Sequence, residues 1–472
     1  MPRQREQGRT FRTCNPARPS QTVGEYVADT EASIAGIVAG AARAFRIWRA
    51  FPETRRADAV LGWIEGIASQ AEEIARRIVL EQGKPLAEAR GETAKALAEA
   101  RTMAAFASGS GARVVASSRP GVRNLVVRRP KGVVAALTPW NFPILTPLRK
   151  IVPALLAGNA VVIKPSELAP AACLLAVEAA REALPDGVLQ CVLGARGAGE
   201  ALVGAPGVTA VSFTGSVATG RAIGAVAGGR LLEQNLELGG KNAAVIAASA
   251  DVAHAAAQTA MAALVCAGQR CTAVSRAIVH ESVREEFVDA LRASMIAVRM
   301  GDGMDSDTTM GPLVCAAHRD RVEHAVAQAL SEGSRVLAGA ARAQPKGCEE
   351  GFFYAPTLLE AGPDMACARE EIFGPVVTLL RYRSFDEAIE LLNATEYGLA
   401  ASLFSNDAGE IDRFVAEADA GMLFVNQGTA PDNHMPFVGA KASGVGPGSV
   451  GPSALEFATV EHSVYIKVGG QA

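Results

Sequence analysis

The chain has 472 residues, 49% of them hydrophobic and 20% charged, with a formal net charge of −3 at pH 7. That is enough apolar material for a large core split over two or three domains, and the balanced charge argues against nucleic acid or an anionic membrane as partner. Eight cysteines over this length are too sparse for a disulfide scaffold and fit a reducing compartment.

The N-terminal MPRQREQGRTFR is basic but lacks the apolar core of a signal peptide. Ala-rich runs such as AAQTAMAALVCAG are too short to span a bilayer, so a soluble cytoplasmic protein is expected. Residues 31–108 read as successive amphipathic helices, EEIARRIVLEQ spacing its apolar residues for one buried face. VRNLVVRRP alternates and ends in proline, as an exposed hairpin arm would. GVVAAL, AVVIK, LQCVL and AVSFTG then alternate with helical segments, which predicts a doubly wound parallel sheet. A second series, AAVIA, SRAIVH, RVLAG and VVTLLRY, follows the Gly-rich junction ELGGKN. The tail FATVEHSVYIKV reads as one more strand, a candidate for lending to a neighbouring subunit.

Gly446-Pro447-Gly448-Ser449-Val450-Gly451 satisfies GxGxxG, yet no helix with a following acidic residue has room after it, and Pro447 sits inside the loop. FTGSVATGRAIG (213–224) is better placed, since Gly215 and Ser216 follow a strand and open a helix whose N–H groups could hold a pyrophosphate. A plain tight turn is the alternative there. Asp302, Asp305 and Asp307 miss the calcium-loop spacing and read as a solvated loop. His318 and His324 read as neighbours on one helical surface, and no metal site is expected. In CAGQRC (266–271) the C-x4-C spacing misses the C-x2-C of redox and zinc sites. The remaining reading is one thiolate nucleophile: Cys271 on a loop, Cys266 packed within the preceding helix. A thiol needs a base or a positive environment to react, and Glu237 in ELGGKN and Asn141 in TPWNFP are the candidate base and oxyanion donor.

Seven motifs in order, TPWNFP, VIKPSE, FTGS, ELGGKN, GQRCTA, MGPL and EEIFGPV, resemble the NAD(P)-dependent aldehyde dehydrogenase superfamily over nearly the whole chain. The resemblance implies an α/β fold with a Rossmann-like cofactor domain (residues 1–111 and 131–242), an α/β catalytic domain (243–454) and a β oligomerisation arm (112–130 and 455–472). It implies an NAD-dependent oxidation, with NADP as alternative, in which Cys271 attacks an aldehyde, Asn141 holds the oxyanion, Lys150 lies beside it and Glu237 activates the hydrolytic water. Cofactor contacts would come from Pro139, Trp140, Lys164, Ser166, Glu167, Phe213, Gly215, Ser216, Leu238, Gly239, Glu371 and Phe373, Glu167 favouring NAD over a 2′-phosphate. The substrate would meet Arg149, Arg270, Thr272, His434 and Phe437. Arg149 matches the position where succinate-semialdehyde dehydrogenases carry an arginine for the substrate carboxylate; its plainer reading is a surface salt bridge. GQRCTAVSR and CNPARPSQTVGEY look more like α-ketoglutarate-semialdehyde dehydrogenases. MPFVGAKASGVGPGSVG departs from the usual PFGGxKxSGxG followed by an acidic-Gly segment, which keeps a phosphono-aldehyde or a neutral aldehyde open as substrate. A CoA-acylating enzyme and a catalytically silent structural relative are the readings from other classes. A homodimer or homotetramer is implied.

Overall fold

The computed structural model describes residues 8–107 and 112–467. The readings made above for residues 1–7, for 108–111 at a domain boundary and for 468–472 at the end of the arm lie outside the described residues. Two parallel sheets carry the molecule. The first has six strands in the order Gly444–Val445, Glu233–Glu237, Val208–Thr214, Val133–Leu137, Ala160–Lys164 and Leu189–Cys191. All neighbours are parallel except the first pair. VVAAL and AVVIK are buried at every position, as strands covered by helices on both faces must be.

The second sheet has seven strands, Arg335–Ala338, Thr357–Glu360, Val376–Tyr382, Val274–His280, Asn242–Ile246, Ala400–Phe404 and Met422–Val425. Only Arg335–Ala338 runs antiparallel. Asn242–Ile246 begins five residues after Glu233–Glu237 ends, so the junction ELGG passes from one sheet to the other. The C-terminal ends of the first sheet's strands, where open α/β sheets bind ligands, therefore face the N-terminal ends of the second sheet's strands.

The tail forms the expected strand. Thr459–Lys467 pairs antiparallel with Val122–Pro130 of its own chain, from Thr459 opposite Pro130 to Lys467 opposite Val122. Arg113–Val115 completes a three-stranded sheet. Pro452–Ala458 form a helix, so residues 455–458, expected in the arm, are helical instead, with Ala454, Leu455 and Phe457 buried in the core of the first lobe. A hairpin of Thr10–Asn15 and Arg18–Val27, not anticipated from the sequence, precedes the first helix. Asp302 is not solvated: it is 5% exposed and pairs with Arg18. No helix among the described residues is long and apolar enough to cross a membrane.

Candidate active site

The helix Val252–Leu264 starts at Asp251, whose side chain caps His254 N–H. It ends two residues before Cys266, which corrects the expectation that Cys266 is helical. Cys266 and Ala267 take φ of +57° and +53° and Gly268 follows at +71°. At Gly268 a Cβ would stand 2.2 Å from the Gly374 carbonyl oxygen, so this left-handed turn admits only glycine there. The turn aims Cys271 at a cavity. Cys266 stays a packed bystander: Gln82 Nε2 donates to its Sγ at 3.3 Å, and burial pushes its thiol up to about 12.

The cavity, of about 500 Å³, brings Cys271, Asn141 and Glu237 together with Arg149, Arg270, Thr272 and Phe437, and with Pro139, Trp140, Gly215, Ser216, Leu238, Gly239, Glu371 and Phe373. Burial, and then Glu237, push the Cys271 thiol up to about 12 against the pull of Arg149 and Arg270. It is therefore protonated at rest and needs a base to react. Asn141 is 4% exposed. Its Nδ2 donates to the Gln269 carbonyl at 2.9 Å, leaving the second N–H of the amide for an oxyanion. Its own carbonyl accepts from Lys84 Nζ at 2.7 Å, and Lys84 is paired with Glu92 at 2.6 Å in a dry site. Sequence reading missed this lysine, whose partner lies 57 positions away.

Glu237 ends a strand and offers both oxygens to hydroxyl donors, Thr214 Oγ1 at 2.8 Å and Ser449 Oγ. Lys150 lies just behind the residues that line the cavity; its Nζ donates to Ser212 Oγ at 3.1 Å and sits 3.7 Å from Glu237.

Gly215 and Ser216 open the helix Val217–Gly229, with Ser216 Oγ accepting from Thr219 N–H. A Cβ at Gly239 would fall 2.2 Å from the Glu371 carboxylate, and one at Gly215 would strike the Phe213 ring at 2.4 Å. A bare helix N-terminus, glycine backbone against a carboxylate and an aromatic wall fit a dinucleotide. Lys164, Ser166, Glu167 and Phe213 do not line this cavity. Lys164 and Phe213 sit at the C-terminal ends of two strands of the first sheet, with Lys164 Nζ 3.8 Å from Glu167 and Ser166 Oγ accepting from Leu168 N–H. Burial raises Glu371 to about 7, opposed by the Gly240 N–H and Lys241. Phe373, at φ +58°, is held by His318, whose Nε2 donates to its carbonyl at 2.8 Å while Nδ1 accepts from Arg321. His318 and His324 share the helix Ala316–Ser331 but not one face: His324 is exposed, whereas His318 is buried in the cavity wall, where burial lowers it to about 4.

Arg149 differs most from its expectation. It is neither a surface salt bridge nor an open anchor: Nε and Nη2 grip Glu99 at 2.7 and 2.8 Å, both side chains being buried. Its guanidinium lies 4.8 Å over the Phe437 ring. Lys95, unread in the sequence, reaches Glu99 at 3.2 Å and lines the cavity. His434 does not line it; the ring is exposed and paired with Asp432 at 3.1 Å. Arg270 Nη2 donates to Thr429 Oγ1, and its Nε is buried without a partner. Thr272 is buried and its carbonyl accepts from the same threonine. The cavity wall thus carries Lys95, Arg149, Arg270 and Arg321 against Glu237 and Glu371. Among the described residues no group of histidine, cysteine and carboxylate could hold a metal ion.

The sequence profile of the aldehyde dehydrogenase family matches residues 3–464. An α-ketoglutarate semialdehyde dehydrogenase of Haloferax volcanii is 36% identical over 98% of this chain and 96% of its own length. A 3,6-anhydro-α-L-galactose dehydrogenase of Streptomyces coelicolor is 37% identical over 97% and 93%. The crystal structure of betaine aldehyde dehydrogenase from Staphylococcus aureus in complex with NAD+ superposes with a TM-score of 0.95 at 31% identity, covering 98% of this chain and 92% of that one.

Proposed function

This chain belongs to the aldehyde dehydrogenase family, and from that premise we propose that it oxidises an anionic semialdehyde to the carboxylic acid through a thioester on Cys271. The observation that carries the reading is one cavity holding a thiol, an amide donor and a carboxylate base beside a dinucleotide cradle. The bound NAD(P) supplies the hydride acceptor.

Cys271 loses its proton to solvent, with Arg149 and Arg270 favouring the thiolate, as its sulfur bonds the aldehyde carbon. The oxyanion of that thiohemiacetal is held by Asn141 Nδ2 and the Cys271 N–H, a donor of this kind being worth about 10²–10³ in rate. Loss of hydride from the carbon leaves the thioester. Glu237 then takes a proton from water as the water adds, and the acid leaves as the sulfur regains its proton. Gly215 and Ser216 would hold the pyrophosphate, Glu371 the ribose hydroxyls of the nicotinamide half, and Lys164 and Glu167 the adenosine ribose. The carboxylate of Glu167 supports NAD over NADP, since it repels a 2′-phosphate.

Four cationic residues against two carboxylates on the wall support an anionic substrate, as does the semialdehyde activity in the name of the Haloferax relative. The bidentate hold of Glu99 on Arg149 favours a second reading, a neutral aldehyde. NADH formation across succinate semialdehyde, α-ketoglutarate semialdehyde, phosphonoacetaldehyde, butanal and benzaldehyde separates the two. The proposal expects the anionic aldehydes to win about a hundredfold in kcat/KM, equivalent to about 2.7 kcal/mol; equal or better turnover of butanal and benzaldehyde would sink it. A homo-oligomer is supported by the exposed apolar side chains of the three-stranded sheet, Val114, Val115, Val460 and Tyr465. Cysteines too sparse for a disulfide scaffold support a cytoplasmic location.

A further inference from the structure

The segment Gly446-Pro447-Gly448-Ser449-Val450-Gly451 stands where the family resemblance leads one to expect an acidic-Gly run, and the fold gives it a polar task. Gly444 and Val445 pair antiparallel with Glu237 and Leu236. Gly446 then turns at φ +93°, so close to the strand that a Cβ would stand 2.6 Å from the Gln234 carbonyl oxygen. The chain beyond it lies against the strand that carries Asn235 and Glu237. Asn235 Nδ2 donates to the Pro447 carbonyl, and the Ser449 N–H donates to the Phe437 carbonyl at 3.0 Å. Between these two ties the Ser449 side chain, 5% exposed as a residue, donates its hydroxyl to Glu237 Oε1. The other carboxylate oxygen accepts from Thr214 Oγ1 at 2.8 Å, with Lys150 Nζ at 3.7 Å. A carboxylate has about four acceptor positions, so these donors fix its rotamer and still leave room for a water. A carboxylate at 449 would instead face Glu237 with like charge.

We propose that Ser449 is a positioning residue for hydrolysis of the thioester, holding the Glu237 carboxylate where it meets the attacking water. This rests on the reading of Glu237 as the base. Acylation of Cys271 does not need that alignment for its rate, whereas breakdown of the acyl-enzyme does. Because Ser449 acts through Glu237, its loss divides the two half-reactions rather than depressing both.

The test is stopped-flow NADH formation by the full chain with saturating NAD and the best aldehyde of the panel, for wild type, Ser449→Ala, Ser449→Thr and Glu237→Gln. In Ser449→Ala the expected result is a kcat lowered about tenfold, with the pre-steady-state burst rate and kcat/KM within about twofold of wild type. Ser449→Thr, which keeps the hydroxyl, restores turnover. Should the alanine variant not fold, Ser449→Cys, nearly isosteric with a weak donor, must show the same split. Ser449→Ala turning over at the wild-type rate, or burst and turnover falling together without rescue by threonine, overturns the proposal. Glu237→Gln separates the failures. If it hydrolyses the thioester normally, the base assignment falls and this inference with it; if it is slow while Ser449→Ala is normal, only the role of Ser449 falls.

Discussion

At the scale of single residues, burial sets the charge of the nucleophile before any substrate arrives. With its thiol raised to about 12, Cys271 in the enzyme alone should react with iodoacetamide about tenfold faster per pH unit between pH 7 and 10; a plateau near pH 8, followed by mass spectrometry of the Cys271 peptide, would show a thiolate already stabilised. Glu371 is also raised by burial, to about 7, and in its proposed role its carboxylate form would accept the ribose hydroxyls. NAD affinity, read from quenching of protein fluorescence, should therefore hold above pH 8 and weaken as pH falls through 7, and Glu371→Gln should flatten that dependence. Arg149 is an ion-pair residue as much as a pocket residue. Arg149→Met strands Glu99 with Lys95 as its remaining partner, and thermal unfolding should show a loss of about 3 kcal/mol, whereas an exposed arginine would cost little. Cys271, Glu237 and Asn141 were legible because each sits in a short motif whose neighbours are also fixed. Glu99, Lys84 and Ser449 were not, because each acts on a residue 50, 57 and 212 positions away, and no local pattern records such a pairing.

At the scale of elements, the active site depends on one reversal of the chain. Residues 265–268 convert a helix into a loop through consecutive left-handed positions, and Gly268 packs directly on the Gly374 carbonyl. Gly268→Ala must push these two loops apart. The expected outcome is a loss of about 3 kcal/mol in unfolding free energy and of Cys271 alkylation selectivity; a variant with wild-type stability would show that the contact is slack. Helical periodicity carried through Ala-rich residues 252–268 hid this break, since nothing in the pattern marks Cys266 and Ala267 as left-handed. Strands with continuous apolar runs, such as AVVIK and VVTLLRY, were readable because both faces are buried. EQNLE was not, because its polar side chains are held by the 446–451 segment and by Ser212 rather than by a core. The GxGxxG match in that segment is likewise a structural turn, following a two-residue antiparallel strand.

At the scale of the whole molecule, two sheets meet so that thiol, base and cofactor cradle come from different parts of one chain, while the three-stranded sheet projects apolar side chains outward. Ser463, opposite Val126 midway along the edge strand Thr459–Lys467, offers a break point. Ser463→Pro removes its backbone N–H and fixes its φ, and light scattering should show an oligomer reduced to smaller species while NAD still binds; an unchanged mass would place the interface elsewhere. The order of motifs announced this architecture, but not the residue-by-residue register of the tail strand on Val122–Pro130, since strand sequence carries no record of its register. The central claim is that aldehyde carbon passes through a thioester on Cys271 that Glu237 hydrolyses. Its most direct test is intact-protein and peptide mass spectrometry of Glu237→Gln mixed with NAD and the preferred aldehyde. The account predicts a stoichiometric burst of NADH and an acyl group of the matching mass on the Cys271 peptide, lost in Cys271→Ser. Full turnover by Glu237→Gln with no adduct, or an adduct on another residue, would contradict it.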